Sequence, residues 1–327
     1  MTRVAVLPGL RASDHRPHAL HSPERIWVEK NCYADLWIEL LHAQGMEPRA
    51  CLAFVVALDF LGDQWTFFKP PLGDLRALYG IDVQELTVWR PVIEHAQEHL
   101  GSGRLLSLEV DAHWLPDTAG TDYRQAHTKT TIVLNEIDPD ARRLGYFHNA
   151  GYFELGAEDF GQIFALDAPP PLLAPYAEII HIDRACRRPD AELRALSASM
   201  LDAHLAWRRT SNPIAQFRQR FEADLPALQQ RGLSGYHSWA FAGVRQLGAA
   251  FELASLYLRW LRPGAQSAAA DFELIARHSK TLILKAARAV NSGRALDTGH
   301  LFDEMIAAWD RGMAAGVAVL RTAPRTR

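Results

Sequence analysis

Residues 25–45 read RIWVEKNCYADLWIELLHAQG, and this stretch decides how the first half of the chain is interpreted. Its apolar side chains recur three and four positions apart, which is the spacing of one buried face of a helix. These side chains are Leu36, Trp37, Leu40 and Leu41. Because Gly45 follows as a helix stop, the spacing predicts a helix over residues 32–43. Cys32 would be its first residue, which leaves two interpretations, a small core residue or a nucleophile.

The number and spacing of cysteines argue against disulfides and zinc. The chain has three cysteines, Cys32, Cys51 and Cys186, and none of them forms a CxxC pair. This set predicts neither a disulfide framework nor a zinc ribbon. No apolar run approaches the roughly 18–20 residues of a membrane span, and the N-terminus lacks a signal-peptide core. We therefore expect a cytoplasmic protein without a membrane partner, in a compartment where thiols stay reduced.

The overall composition is that of a globular protein. The chain has 327 residues, of which 48% are hydrophobic and 22% are charged. Since single cores stop growing near about 250–300 residues, the length predicts about two domains. A net charge of −3 provides no general basic surface for nucleic acid, so none is expected as a partner. The 14 histidines are scattered, and we predict no metal site.

The pattern of apolar residues changes along the chain. Runs typical of β-strands are RLLSLEVDAHWL at 104–115, HTKTTIVLNEID at 127–138 and a third in RLGYFHNAGYFEL at 143–155, which ends at Asn149-Ala150-Gly151. A proline-rich stretch at 165–175 indicates a domain boundary or a wrapping loop, and the chain after Pro189 has helical periodicity. We predict an α+β fold, with a helix-bearing antiparallel domain at 1–185 and an α-helical bundle at 186–327.

A nucleophilic thiol needs a general base and a group that orients the base. His127 opens a predicted strand, and Asn149 follows the next one, where it could accept from the imidazole N–H. His148 would point to the opposite face of a regular strand. The same residues also fit a buried cysteine, a surface histidine and a turn asparagine, and spacing alone leaves that choice open.

Longer motifs resemble a known bacterial family. They are NCYADLWIELLHAQGMEP, LDFLGDQWTFFKPP, LYGIDVQEL, EVDAHWLPDTAGTDYR, HTKTTI and GYFHNAGYFEL. Over nearly the whole chain they resemble domain-of-unknown-function family 1839, whose genes tend to lie beside amino acid:carrier protein ligases and small carrier proteins. The first half also resembles the papain-like N-terminal domain of the butirosin-type acyltransferase. A more distant similarity is to bacteriocin-processing cysteine peptidases.

The resemblance implies a papain-like N-terminal half and a role for each catalytic candidate. Cys32 takes the nucleophile position, His127 the base position and Asn149 the orienting position, or His148 if the alignment slips by one. Papain-like peptidases carry a Gln about six residues before the nucleophile, where this chain has Ile26. This departure disfavours a peptidase, and Asn31 or backbone N–H groups would have to hold the oxyanion instead.

Four residues are candidates for substrate binding: Asn31, Trp65, Lys69 and Asp111. Trp65 and Lys69 lie in GDQWTFFKPP, an aromatic cluster that fits a hydrophobic core as well as a binding surface. Asp111 in EVDAHWLPD fits either a partner for a substrate ammonium group or a capped turn.

The function expected from these residues and from the resemblance is acyl or aminoacyl transfer. Cys32 would accept the acyl group from the phosphopantetheine thioester of a carrier protein and pass it to a small amine or hydroxyl acceptor. No cofactor of the protein's own is expected, since the carrier protein supplies the phosphopantetheine. Two alternatives stay open: a cysteine peptidase or amidase with the same residues, and a non-catalytic scaffold that binds a carrier protein.

Overall fold

The computed structural model describes residues 3–166 and 173–321, with side chains described up to residue 316. Its N-terminal half is a mixed α/β arrangement built on an open antiparallel sheet, and its C-terminal half is helical. The expected antiparallel sheet followed by helices is therefore confirmed. Part of the proline-rich stretch, residues 167–172, lies outside the described residues.

The chain divides into two compact units that do not follow chain order. The first unit comprises the residues up to Ser22, Asn31–Pro48 and Pro71–Arg188. The second comprises Pro23–Lys30, Arg49–Pro70 and the residues from Pro189 onward. This differs from the expected division after residue 185, because two segments of the first half belong to the helical unit. They join it through long-range contacts that local patterns do not encode; for example, Ser197 Oγ donates to the Ala50 carbonyl at 2.7 Å.

Over the residues that the structure describes, the sheet of the first unit has seven strands, all paired antiparallel. They are β1 (Val4–Ala5), β2 (Asp82–Glu85), β3 (Leu105–Asp111), β4 (Lys129–Asp138), β5 (Arg143–His148), β6 (Gly151–Gly156) and β7 (Ala177–His181). Their order is β2-β7-β3-β4-β5-β6, and β1 pairs with Glu136 and Ile137 near the C-terminal end of β4. The third predicted strand is β5, which ends at His148, and the chain turns at Asn149 with φ +43° and returns as β6 in a hairpin.

Four α-helices among the described residues accompany this sheet: α1 (Cys32–Ala43), α2 (Leu72–Tyr79), α3 (Val92–Gly101) and α4 (Ala157–Ile163). α1 has the bounds that its apolar spacing predicts. α3 and α4 share one core with alternate strand residues such as Ile132 and Tyr146. Phe147 alternates with Tyr146 and so points to the other face, where its ring meets His15, a partner of Glu39 on α1. α1 therefore covers the face opposite to α3 and α4.

The second unit is a bundle of five helices among the described residues. They are α5 (Asp190–Trp207), α6 (Pro213–Ala240), α7 (Gln246–Leu261), α8 (Gln266–Ser292) and α9 (Gly299–Arg321). α6 is interrupted at Gly232, whose φ of 70° favours glycine, and a π-helical turn at Phe241–Arg245 leads into α7. Within residues 3–166 and 173–321, no helix combines the length and the apolar character that a membrane crossing requires.

Candidate active site

Cys32 is the first residue of α1, and its position is fixed by the preceding cap. The Asn31 side chain accepts a hydrogen bond from the Ala34 N–H at 2.8 Å, as an N-cap residue does. Asn31 is buried, whereas Cys32 is half-buried and not in a disulfide. The side-chain oxygen of Asn31 therefore serves the helix. An oxyanion at Cys32 would have to be held by the first backbone N–H groups of α1 or by the Asn31 amide nitrogen.

His127 is oriented by a carboxylate from the neighbouring strand. Its Nδ1 lies 2.6 Å from Asp111 Oδ2, and Asp111 Oδ1 accepts from the backbone N–H groups of His113 at 3.0 Å and Thr128 at 3.2 Å. Burial alone would raise the pKa of the Asp111 carboxyl, but these hydrogen bonds hold that pKa below its ordinary value. An ionised Asp111 accepts the proton of Nδ1, which leaves Nε2 of His127 as the basic nitrogen.

The imidazole ring of His127 is also held by stacking against a neighbouring ring. His113 stacks on it with ring centroids 4.3 Å apart and planes 12° apart, and Trp114 meets the edge of the His113 ring. The His127 side chain is nonetheless 72% exposed. Its Nε2 takes no hydrogen bond within the described residues and so faces solvent.

The pair of His127 and Asp111 lies on the sheet face that carries α1. Asp111 is paired directly with Lys129, and side chains of paired residues share a face. Lys129 in turn shares its face with Val133, which is paired with Phe147 under α1. Within the described residues, however, no hydrogen bond joins His127 to Cys32. The structure thus puts both residues on one face without a direct contact.

Asn149 does not contact His127 in this structure. Continuing the register of Val133 and Phe147 by two residues sets Asn149 level with Thr131, which is four residues after His127 in the sequence. At a rise of about 3.3 Å per residue, this is about 13 Å along the strand. Asp111 on β3, which the sequence suggested for a substrate ammonium, occupies the place next to Nδ1 instead.

His148 belongs to a buried network on the opposite face. Its Nδ1 lies 2.6 Å from Asp117 Oδ2 and its Nε2 lies 2.8 Å from Thr130 Oγ1. Asp117 Oδ1 also accepts from the Tyr146 hydroxyl at 2.5 Å, and burial together with this carboxylate raises the pKa of Tyr146. Both nitrogens of His148 are engaged, so His148 anchors the segment between β3 and β4, which leads to His127.

A second buried network lies along α1, on the helix face that also carries Cys32. Its two carboxylates on α1 are those of Asp35 and Glu39, three and seven residues after Cys32. His21 bridges the carboxylates of Asp35 and Glu39, and His15 Nε2 lies 2.7 Å from Glu39 Oε2. Burial would lower the pKa of His21, but the two carboxylates raise it to about 9. Burial would raise the pKa of Glu39, but His15 and His21 lower it to about 2. The network was missed from the sequence, although the spacing HRPHALH at 15–21 was its visible sign.

Trp65 and Lys69 belong to the second unit. Trp65 is 4% exposed and packs against Phe60 and Phe217, with ring centroids 5.3 and 5.4 Å away. This is the core role that the sequence offered as the alternative. Lys69 is exposed. A substrate-binding role for either residue stays a prediction.

Among the described residues, no three His, Cys, Asp or Glu side chains are arranged to hold a metal ion.

Comparison with known proteins shows the family to which the chain belongs. No curated protein sequence matches the chain. The model of the DUF1839 N-terminal domain matches residues 16–182, and that of the DUF1839 C-terminal domain matches residues 190–318. The two matches together span most of the 327 residues, and the chain therefore belongs to the DUF1839 family.

Proposed function

We propose that this protein is an acyl- or aminoacyltransferase in which Cys32 carries the acyl group. The observation that supports this most directly is the hydrogen bond between His127 and Asp111 on the sheet face covered by α1, the helix that Cys32 begins. A helix that begins with a thiol and packs on an antiparallel sheet, with a histidine and a carboxylate near the strand ends, supports a papain-like fold for the first unit. The proposal therefore includes a papain-like first unit similar to that of butirosin-type acyltransferases.

The first step would be thioester exchange. Cys32 Sγ loses its proton to Nε2 of His127 and attacks the carbonyl carbon of an acyl–phosphopantetheine thioester on a carrier protein. The C–S bond to the pantetheine sulfur then breaks, and that sulfur leaves with the proton from His127. One thioester is replaced by another, so the acyl-Cys32 enzyme forms with little change in free energy.

The second step would be transfer to the acceptor. An amine or hydroxyl group attacks the acyl-Cys32 carbonyl while Nε2 of His127 takes its proton, and Cys32 Sγ departs and is reprotonated. Asp111 stabilises the imidazolium formed in both steps. The exposed Nε2 has no other partner among the described residues, so it is available to approach Cys32 and substrate. Catalytic hydrogen bonds are often long before substrate binds.

The test is the intact mass of the protein after mixing with an aminoacyl-loaded carrier protein. We expect a gain equal to the acyl group in the wild type and in Cys186→Ala, but not in Cys32→Ala. Cys186 is the matched control because it is the exposed free cysteine. An adduct that persists in Cys32→Ala and disappears in Cys186→Ala would show adventitious acylation of a surface thiol and overturn the proposal.

The fate of the adduct separates the alternatives. Transfer of the label to an added amine supports the transferase. Release of free acid whatever acceptor is offered would instead identify a hydrolase that uses the same residues. If no adduct forms and Cys32→Ala binds the carrier protein as tightly as the wild type, the protein is a scaffold.

A further inference from the structure

The outer face of α8 is basic over a stretch of the chain that has no acidic residue. Lys280, Leu284 and Arg288 are exposed and lie four residues apart, so their side chains follow one another along one side of the helix. Lys285 adds a positive charge next to Leu284, and these four residues are called the basic stripe. Residues 274–296 contain no Asp or Glu, although acidic residues outnumber Lys and Arg by 38 to 35 in the whole chain. The positive charge is therefore concentrated locally.

The helix packed beside this part of α8 does not neutralise the stripe. The Tyr236 hydroxyl on α6 donates to the Ile283 carbonyl at 2.6 Å, and Gln229 Nε2 donates to the Ala289 carbonyl at 3.3 Å. These contacts place the second half of α6 alongside residues of the stripe. Residues 225–251, which include this half of α6 and the turn into α7, also contain no Asp or Glu. Neither segment therefore supplies a carboxylate to the stripe.

The cations of the stripe keep their charge uncompensated. Lys280 Nζ lies 4.5 Å from the ring centroid of Trp27, a cation–π contact that holds the ammonium group without cancelling its charge. Within the part of the chain that the structure describes, neither Lys285 nor Arg288 forms an ion pair. This is unusual for the protein, in which most exposed arginines on helices pair with a carboxylate, as Arg218 does with Glu222.

Carboxylates limit the basic surface at its N-terminal end. Arg277 pairs with Glu273 on α8 itself, and His278 Nε2 lies 2.5 Å from Glu304 Oε2 on α9. These pairs lie less than one turn before Lys280. The uncompensated charge therefore begins at Lys280 and continues to Arg288 along the helix.

Leu284 places an apolar side chain at the centre of these cations. It is 55% exposed, whereas the apolar residues that α8 contributes to the bundle, such as Leu282 and Ala286, are fully buried. An apolar centre with a charged rim is the composition of a protein–protein interface. A single leucine provides too little apolar surface to hold a helix in a lipid interface, which needs a broad apolar face. The stripe also has no aromatic ring on which a nucleic-acid base could stack.

We propose that the basic stripe binds an acidic helix of the carrier protein that delivers the acyl group. An acidic helix is the complementary surface, because carboxylates four residues apart can face Lys280 and Arg288 together while an apolar residue between them meets Leu284. Attraction between the two surfaces raises the rate of encounter and weakens as salt is added. The identity of the partner rests on the proposed function, whereas the stripe itself belongs to the second unit alone.

The experiment measures binding of the full-length protein to the apo carrier protein, which lacks phosphopantetheine and cannot acylate Cys32. Fluorescence anisotropy should show saturable binding that weakens with salt. Arg288→Glu should weaken it about tenfold, because it places like charges opposite each other. Leu284→Ser leaves the charge unchanged and should weaken binding about fivefold, because it removes the apolar contact. Arg11→Glu is the matched control, since Arg11 is exposed outside the stripe and the change in net charge is the same.

Three results would overturn this inference: no saturable binding of the apo carrier protein, equal weakening in Arg288→Glu and Arg11→Glu, or unchanged binding in Leu284→Ser. Tighter binding to anionic phospholipid vesicles or to duplex RNA, lost in Arg288→Glu, would also overturn it and assign the stripe to that partner. The proposed function is judged separately. If the apo carrier protein binds at the stripe but the loaded carrier leaves no acyl group on Cys32, the binding surface stands and the transferase is wrong. If Cys32 is acylated equally fast in Arg288→Glu and the wild type, the transferase stands and the binding surface is wrong.

Discussion

Asp111 Oδ2 and His127 Nδ1 lie 2.6 Å apart, although Asp111 ends β3, His127 precedes β4 and a connecting segment separates them in the sequence. In sequence order the carboxylate comes before the histidine, whereas the resemblance led us to expect the orienting residue after it. The contact arises because β3 and β4 are direct neighbours and Asp111 is paired with Lys129. It is the basis of the first prediction.

Asp111→Asn should lower the rate of acyl-Cys32 formation by about 10²–10⁴ with little change in KM. The amide leaves the ring near its position but no longer stabilises an imidazolium or fixes the tautomer. The rate is measured by quenched intact-mass kinetics. Glu109→Gln is the matched control, since Glu109 lies on the same strand and pairs with Lys129. Equal rates for Asp111→Asn and wild type would remove Asp111 from the site.

Asn31→Ala should destabilise the first unit by about 1 kcal/mol, because it removes the N-cap of α1. Asn31→Asp keeps an acceptor for the Ala34 N–H and should retain most of the stability. The measurement is the midpoint of urea unfolding followed by a probe on α1. If the aspartate variant were as unstable as the alanine variant, the loss would come from some other contact of Asn31 rather than from the cap.

The parts of the molecule that local spacing predicts differ from those that need the tertiary fold. α1 was predictable because its apolar stripe and its stop at Gly45 lie within one stretch of chain. The partner of His127 was not predictable, because β4 has two neighbours, β3 and β5, and either could supply it. Only the register of the strands shows that Asn149 is level with Thr131 and not with His127. Trp65 was ambiguous for a related reason: its burial against Phe217 joins residues about 150 positions apart in the sequence.

Asp117→Asn should destabilise the first unit by about 2–4 kcal/mol. The carboxylate accepts hydrogen bonds from His148 and Tyr146 inside the protein, and loss of an acceptor there leaves buried donors unpaired. Amide hydrogen exchange should rise over residues 112–128, which this network holds. Asp122→Asn is the control, because Asp122 is half-buried on the same segment and its carboxylate accepts from the hydroxyl groups of Thr121 and Thr128. Unchanged exchange in Asp117→Asn would mean that the network does not anchor the segment.

The His21 network should give the first unit a window of maximal stability at mildly acidic pH. The pKa of His21 is raised from 6.5 to about 9, so its contribution is complete below about pH 6.5 and is lost as pH rises through 9. The pKa of Glu39 is lowered from 4.5 to about 2, so its contribution is complete above about pH 4.5 and is lost as pH falls through 2. Stability should therefore be greatest between about pH 4.5 and 6.5.

The alkaline side of this window provides the sharper measurement. The rise of the His21 pKa from 6.5 to about 9 corresponds to about 3 kcal/mol of unfolding free energy, which is lost as His21 releases its proton. Proton NMR of the imidazole resonances in the full chain should show His21 still charged at pH 8. Asp35→Asn removes one of its two carboxylates and should move both the titration and the loss of stability to lower pH. A His21 resonance that titrates near pH 6.5 in the wild type would show that the imidazole is neutral between these carboxylates at neutral pH, and the window would then disappear.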